Sequence, residues 1–468
     1  MKYALLTTAL AGTTLAAGAA DFKLPQFDTT RLPNGLTVML MERHEVPLIA
    51  VRAVVKAGAV NDGTQAGLAN LTGDAILLGS TRHNKAAIDE AFDFRGAVLA
   101  GGSATEQTTV QANFAKKDAD ALLPLFAEIV QQPSFDAAEL DKLRTRKVSG
   151  LKQAKESPRQ VAGLYYRSML YGDAPYASPA PGTVSALSAL RRDDVQGFHQ
   201  RWFRPDNAAI IVVGDFDPAA MRQRIEALFG QWRADGTAAQ PHADYGKPVA
   251  DKPRVWLVDK PDAIETTFVI GGAGIARNDP DYVPLQVLNT VLGGRFTSWL
   301  NDELRVNSGL TYGANSSFGT LGQSGTFAMS SFTASAKTQA ALELALKTYD
   351  RLWSRGIDKA TLDSAKAYVK GQFPPRFETS EQLASLLGDM YALGVERSQI
   401  DNFMRDVDGL TPARAAQLVE RHFPRKNLQM VLIGKAADIR PIAAKYGDVT
   451  ELDISADGFK PARSKPTQ

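Results

Sequence analysis

One turn-and-strand unit occurs twice in this chain, and that recurrence limits the fold more than any other feature of the sequence. Phe203-Arg204-Pro205-Asp206-Asn207 leads into the apolar run Ala208 to Val213 and ends at Gly214; Phe423-Pro424-Arg425-Lys426-Asn427 leads into Leu428 to Ile433 and ends at Gly434. Phe203 and Phe423, Asn207 and Asn427, and Gly214 and Gly434 are all separated by the same 220 positions, which argues for an internal duplication rather than for shared strand chemistry. Earlier in each half Pro47, Gly58 and Gly79 recur at Pro261, Gly272 and Gly293, each 214 further on. The chain therefore reads as a tandem pair, residues 21–233 and 253–461, joined by a polar linker at 234–252 that contains Pro241, Gly246 and Pro248. A short polar tail, 462–468, follows.

Each half predicts the same order of elements. In the first, strands fall at Thr37 to Met41 and Ile49 to Lys56, a helix at about Gly67 to Leu78, and further strands end near Asn113. Leu122, Phe126, Ile129 and Val130 share one helical face, and a long helix from Glu139 to Lys155 must stop before Pro158. A helix around Arg191 to Trp202 and a strand over Ile210 to Val213 close the unit. The expected class is α+β: two homologous domains in tandem, each a mostly antiparallel sheet with helices packed on one face.

The first twenty residues carry one cation, Lys2, then an apolar and small-residue run to Ala17-Gly18-Ala19, the pattern of a signal peptide over 1–20. Export, most simply to the periplasm, is the expectation. The absence of cysteine from the whole sequence excludes disulfides and thiolate-ligated metal. After the leader every apolar run is interrupted by a charge well short of about 18 residues, so no membrane span is expected. With 53 cations against 51 anions the chain has no polyelectrolyte signature, and nucleic acid is not an expected partner.

The run Gly67-Leu68-Ala69-Asn70-Leu71-Thr72-Gly73-Asp74 through Gly79-Ser80 resembles the zinc helix of the insulinase/pitrilysin peptidases. That resemblance extends to Leu32-Pro33-Asn34-Gly35-Leu36, to Gly101-Gly102-Ser103-Ala104-Thr105 and to the strand ending at Gly214-Asp215. In active members the helix carries H-x-x-E-H, two metal-binding histidines enclosing a catalytic base. Here the three positions are Asn70, Gly73 and Asp74, and the third ligand expected of the family falls at about Ser149 or Gly150. The five histidines, His44, His83, His199, His242 and His422, lie too far apart for two to share a helical turn, so each reads as a surface or packing residue. No metal or cofactor is expected in this chain. Glu139, Asp141, Arg144, Arg146 and Lys147 read as a solvated helix face.

One family motif survives. Leu304-Arg305 and Gly309-Leu310-Thr311-Tyr312 resemble the signature L-R-x-x-x-G-L-x-Y, whose arginine and tyrosine hold the substrate backbone and stabilise its carbonyl oxygen. As bare residue types the two are a surface cation and a strand aromatic; the matched context raises the functional reading. The resemblance implies half of a clamshell: a zinc-free subunit contributing Arg305 and Tyr312 in trans, with zinc and base on a homologous catalytic subunit carrying H-x-x-E-H, acting on an unfolded or extended peptide. A non-enzymatic scaffold or peptide-binding protein derived from the same family is the alternative.

Overall fold

In the computed structural model, residues 22–234 and 244–461 are described; the leader, His242, much of the linker and the polar tail lie outside them. The first half builds a six-stranded sheet from β1 (Asp28–Arg31), β2 (Thr37–Glu42), β3 (Leu48–Val55), β4 (Val98–Ser103), β5 (Thr108–Ala115) and β6 (Ala208–Gly214), in the order β1-β2-β6-β3-β5-β4. The second builds another from β7 (Arg254–Asp259), β8 (Glu265–Ala273), β9 (Ala314–Thr320), β10 (Gly325–Ala334), β11 (Gln429–Gly434) and β12 (Asp448–Asp453), in the order β12-β7-β11-β8-β10-β9. Five strands of each sheet match in order and direction: a parallel pair, β2 with β6 or β7 with β11, followed by three antiparallel pairs. The outermost strand differs. β1 joins antiparallel from the N-terminal side, whereas β12 joins parallel from the C-terminal side. Two tandem α+β domains with mostly antiparallel sheets are thus as expected.

β6 is buried along its whole length, which a polar-out strand could not be. Side chains of a strand alternate between faces, and here both faces are apolar. Val38, Leu40, Ile49, Val51, Ile210 and Val212 point into one core; Met39, Met41, Ala50, Ala209, Ile211 and Val213 point into a second. The domain's own helices cover only the first of these faces. The other is covered from the opposite half, because the helix Ser380–Leu393 packs on β3 and β6, while the corresponding helix Pro158–Tyr171 packs on β8 and β11. The exchange is fixed by polar contacts as well: the Tyr166 hydroxyl donates to the Phe327 carbonyl at 2.7 Å.

Candidate functional site

The motif helix, Leu68–Ala75, begins where the carboxylate of buried Asp62 accepts the backbone N–H groups of Gly67 and Ala69, both at 2.8 Å. Burial pushes the Asp62 carboxyl up to about 7, against those two hydrogen bonds. The helix lies on the glycine-rich strand β4 with little space between. A Cβ on Gly73 would stand 3.0 Å from the Gly102 carbonyl carbon and 3.2 Å from the Ser103 nitrogen. Glycine at the base position is therefore what lets the helix approach the strand, and a glutamate could not be added without pushing the two apart.

Asn70 and Asp74, one turn apart, face the long helix Ala137–Lys155. The residue that meets them is Lys147, whose ammonium donates to Asn70 Oδ1 at 2.6 Å and pairs with the Asp74 carboxylate. Ser149 and Gly150, the positions counted from sequence for a third ligand, are exposed, and Lys147, grouped there with a solvated face, turns inward with only 16% of its side chain accessible. The reason is helical spacing: Leu140, Leu143 and Leu151 form the buried stripe of this helix, and Lys147 lies four residues from each of the last two. One amide, one carboxylate and a bridging ammonium do not fit zinc, since the cation already between the two acceptors would repel a second.

The four described histidines are likewise engaged. His199 is buried, hydrogen-bonded to the Val130 carbonyl at 2.9 Å and stacked on Phe203, and burial lowers it to about 4. His83 hydrogen-bonds Glu128, and His44 contacts Asp215 at 2.6 Å. His422 meets Asp281 at 2.8 Å beside Asp279, a grouping of ligand-type side chains. Asp281 is also paired with Arg414 and Arg421, so two fixed cations hold the charge that a metal would need.

In the second half the chain around Arg305 is held to a different end. Residues Asp302–Asn307 form a π-helical turn, a distortion that occurs often at functional sites. The Leu304 carbonyl accepts the N–H groups of both Leu310 and Thr311, Thr333 Oγ1 donates to the Leu310 carbonyl, and Ser331 Oγ donates to the Gly313 carbonyl. These bonds pin both ends of the loop, and Tyr312 projects from it with 83% of its surface exposed. Arg305 lies with its guanidinium 4.5 Å from the Phe296 ring centre. Both residues line one cleft of about 950 Å³, floored by β8, β9 and β10 and flanked by the Pro158–Tyr171 helix of the other half. Asn70, Gly73 and Asp74 are not in its lining.

Sequence reasoning passed over Lys147 as a ligand-site residue, and over the cleft's Arg159, Arg167 and Arg295. For Lys147 the signal was present in its register with Leu143 and Leu151. For Arg159 and Arg167 there was none, because their helix belongs to the first half and reaches the cleft only through the exchange of helices.

Comparison with known proteins agrees with this picture. Residues 37–183 match the model of the insulinase family of peptidases (M16), and residues 189–369 match the model described as the M16 peptidase inactive domain. An uncharacterized zinc protease of Mycobacterium leprae is 24% identical over 399 residues, covering 84% of this chain and 89% of that protein. A Helicobacter pylori protein described as a non-peptidase homolog is 21% identical, covering 92% of this chain and 98% of its own length. The crystal structure of an M16 inactive domain from Pseudomonas fluorescens superposes with a TM-score of 0.80 at 26% identity, covering 88% of this chain and 98% of that one. With the motif helix closed by a lysine and a glycine, and both family models in tandem, the chain belongs to the insulinase (M16) peptidase family as a non-catalytic member.

Proposed function

We propose that this chain is the zinc-free subunit of a two-chain peptidase, in which a homologous partner carrying H-x-x-E-H supplies zinc and base. In that assembly Arg305 and Tyr312 hold the backbone of an unfolded or extended peptide and stabilise the charge developing on its carbonyl oxygen. The observation that carries this reading is the contrast between the halves: Lys147 and Gly73 close the motif helix, while the Arg305–Tyr312 loop is braced at both ends so that its two donors open onto a cleft. Preorganised donors are what oxyanion stabilisation requires. On the reading of residues 1–20 as an export signal, the pair works in the periplasm, and cell fractionation that found the chain in the cytoplasm would overturn that part.

The decisive assay mixes the chain with the partner and follows peptide hydrolysis. The mixture should cleave faster than the partner alone, and Arg305→Ala or Tyr312→Phe should each lower kcat roughly 100-fold, with the partner's zinc content unchanged. A mixture no faster than the partner alone would sink the proposal and leave the non-enzymatic scaffold or peptide-binding role.

A further inference from the structure

The cleft that holds Arg305 and Tyr312 also presents Arg159, Arg167 and Arg295, and among the described residues no carboxylate lines it. Four guanidiniums on one cleft without an acid among its lining concentrate positive charge in a chain whose 53 cations and 51 anions otherwise nearly balance. Among the described residues, none of the four is within ion-pair distance of an acid, although many other arginines of the chain are. Aromatic faces and neutral oxygens hold them instead. Arg159 lies 4.2 Å from the Phe332 ring centre and Arg295 lies 5.8 Å from that of Tyr368, contacts that fix a guanidinium without neutralising it. Arg295 donates to Ser364 Oγ at 3.1 Å, but its Nε–H is buried without a partner. Arg167 donates to Thr105 Oγ1 at 2.9 Å. Glu106, which accepts from the Tyr176 hydroxyl and the Gly322 amide, acts on Arg167 electrostatically from beyond ion-pair distance, so Arg167 is partly compensated while Arg159 and Arg295 face no acid among the described residues.

A charge left uncompensated in a partly buried site is costly unless a ligand supplies the counter-charge. We propose that this cleft selects acidic polypeptide segments, with Arg159, Arg167 and Arg295 pairing with substrate carboxylates beside the backbone held by Arg305 and Tyr312. Arginine suits the task, because its planar fork pairs with a carboxylate through two parallel hydrogen bonds. The floor of β strands and the exposed Phe296 and Tyr312 at the mouth accommodate an extended peptide with apolar residues between its acids. Nucleic acid is disfavoured, since the net charge of +2 is that of a chain with nearly balanced cations and anions rather than of a polyanion binder.

The inference rests on the peptide-binding role proposed above, but binding to this chain alone tests it. Fluorescence anisotropy of the full chain would compare a glutamate-rich decapeptide with the same peptide carrying glutamine at each glutamate. The acidic peptide should bind at least tenfold more tightly at low salt, and the difference should shrink at 0.5 M salt. Arg159→Gln combined with Arg295→Gln should reduce that preference to less than threefold, with circular dichroism showing the fold retained; Arg159→Gln alone, at an exposed position, serves if the double variant misfolds. Equal affinity for the two peptides overturns the proposal, as does a preference the variants leave intact or a single-stranded oligonucleotide that binds as tightly as the acidic peptide. If charge selectivity appears but the partner gains no activity from the chain, the peptidase reading fails and this one stands.

Discussion

At residue scale, the zinc-motif positions Asn70 and Asp74 lack histidine and also hold an ammonium, that of Lys147, between them. Returning histidine to both positions leaves Lys147 between them, so Asn70→His with Asp74→His should still take up no stoichiometric zinc by elemental analysis; zinc in that double variant would show that the lysine yields its place. Gly73→Glu meets β4 directly. Overpacking of this kind costs about 1 to 3 kcal/mol or more, to be read from the midpoint of chemical denaturation, and an unchanged midpoint would mean that helix and strand separate freely. Lys147→Ala removes one partner of a half-buried pair and should destabilise by about 1 to 2 kcal/mol, less than a deep ion pair because Asp74 keeps a third of its side chain in water.

At the scale of elements, the helix Ala119–Gln131 gathers two groups whose protonation opposes folding. Burial would raise Glu128, but hydrogen bonds from Ser80, Arg82 and His83 outweigh it and bring the carboxyl down to about 2. Its contribution is therefore present above the ordinary 4.5 and is lost as pH falls through 2, about 3 kcal/mol in all. His199, lowered to about 4, contributes above 6.5 and loses that contribution as pH falls through 4. Asp62, raised to about 7, acts in the opposite sense: its stabilisation is full below 3.8 and is lost as pH rises through 7. The last two are of similar size and overlapping range, so they largely offset each other between pH 7 and 4, and Glu128 governs below. Denaturation free energies measured across pH should show Glu128→Gln flattening the decline below pH 4.5; a variant that falls as steeply as the parent chain would contradict this assignment.

At the scale of the whole molecule, each half covers one face of its partner's sheet, so neither core is complete alone. Residues 22–234 expressed by themselves would expose Met39, Met41, Ile211 and Val213, all buried against the second half. That fragment should bind a hydrophobic dye and lack cooperative unfolding, whereas the full chain should melt in a single calorimetric transition; a compact, cooperatively folding fragment would refute the mutual core. The duplication and the strands of each half were legible in the sequence, and so were the positions of the zinc-type motif and of Arg305 and Tyr312, because all are written in local spacing: 220 positions between repeats, three residues from Asn70 to Gly73, seven from Arg305 to Tyr312. Lys147 was half legible, since its register with Leu143 and Leu151 is local but the pair it reaches is not. The cleft itself was decided only by tertiary structure. Pro158–Tyr171 carries the periodicity of an ordinary amphipathic helix, and nothing in that periodicity states that its partner sheet is β8, β11 and their neighbours rather than the sheet of its own half. Local sequence sets which face of a helix is apolar; which sheet buries that face depends on the packing of both halves, and with it the gathering of four arginines on one cleft.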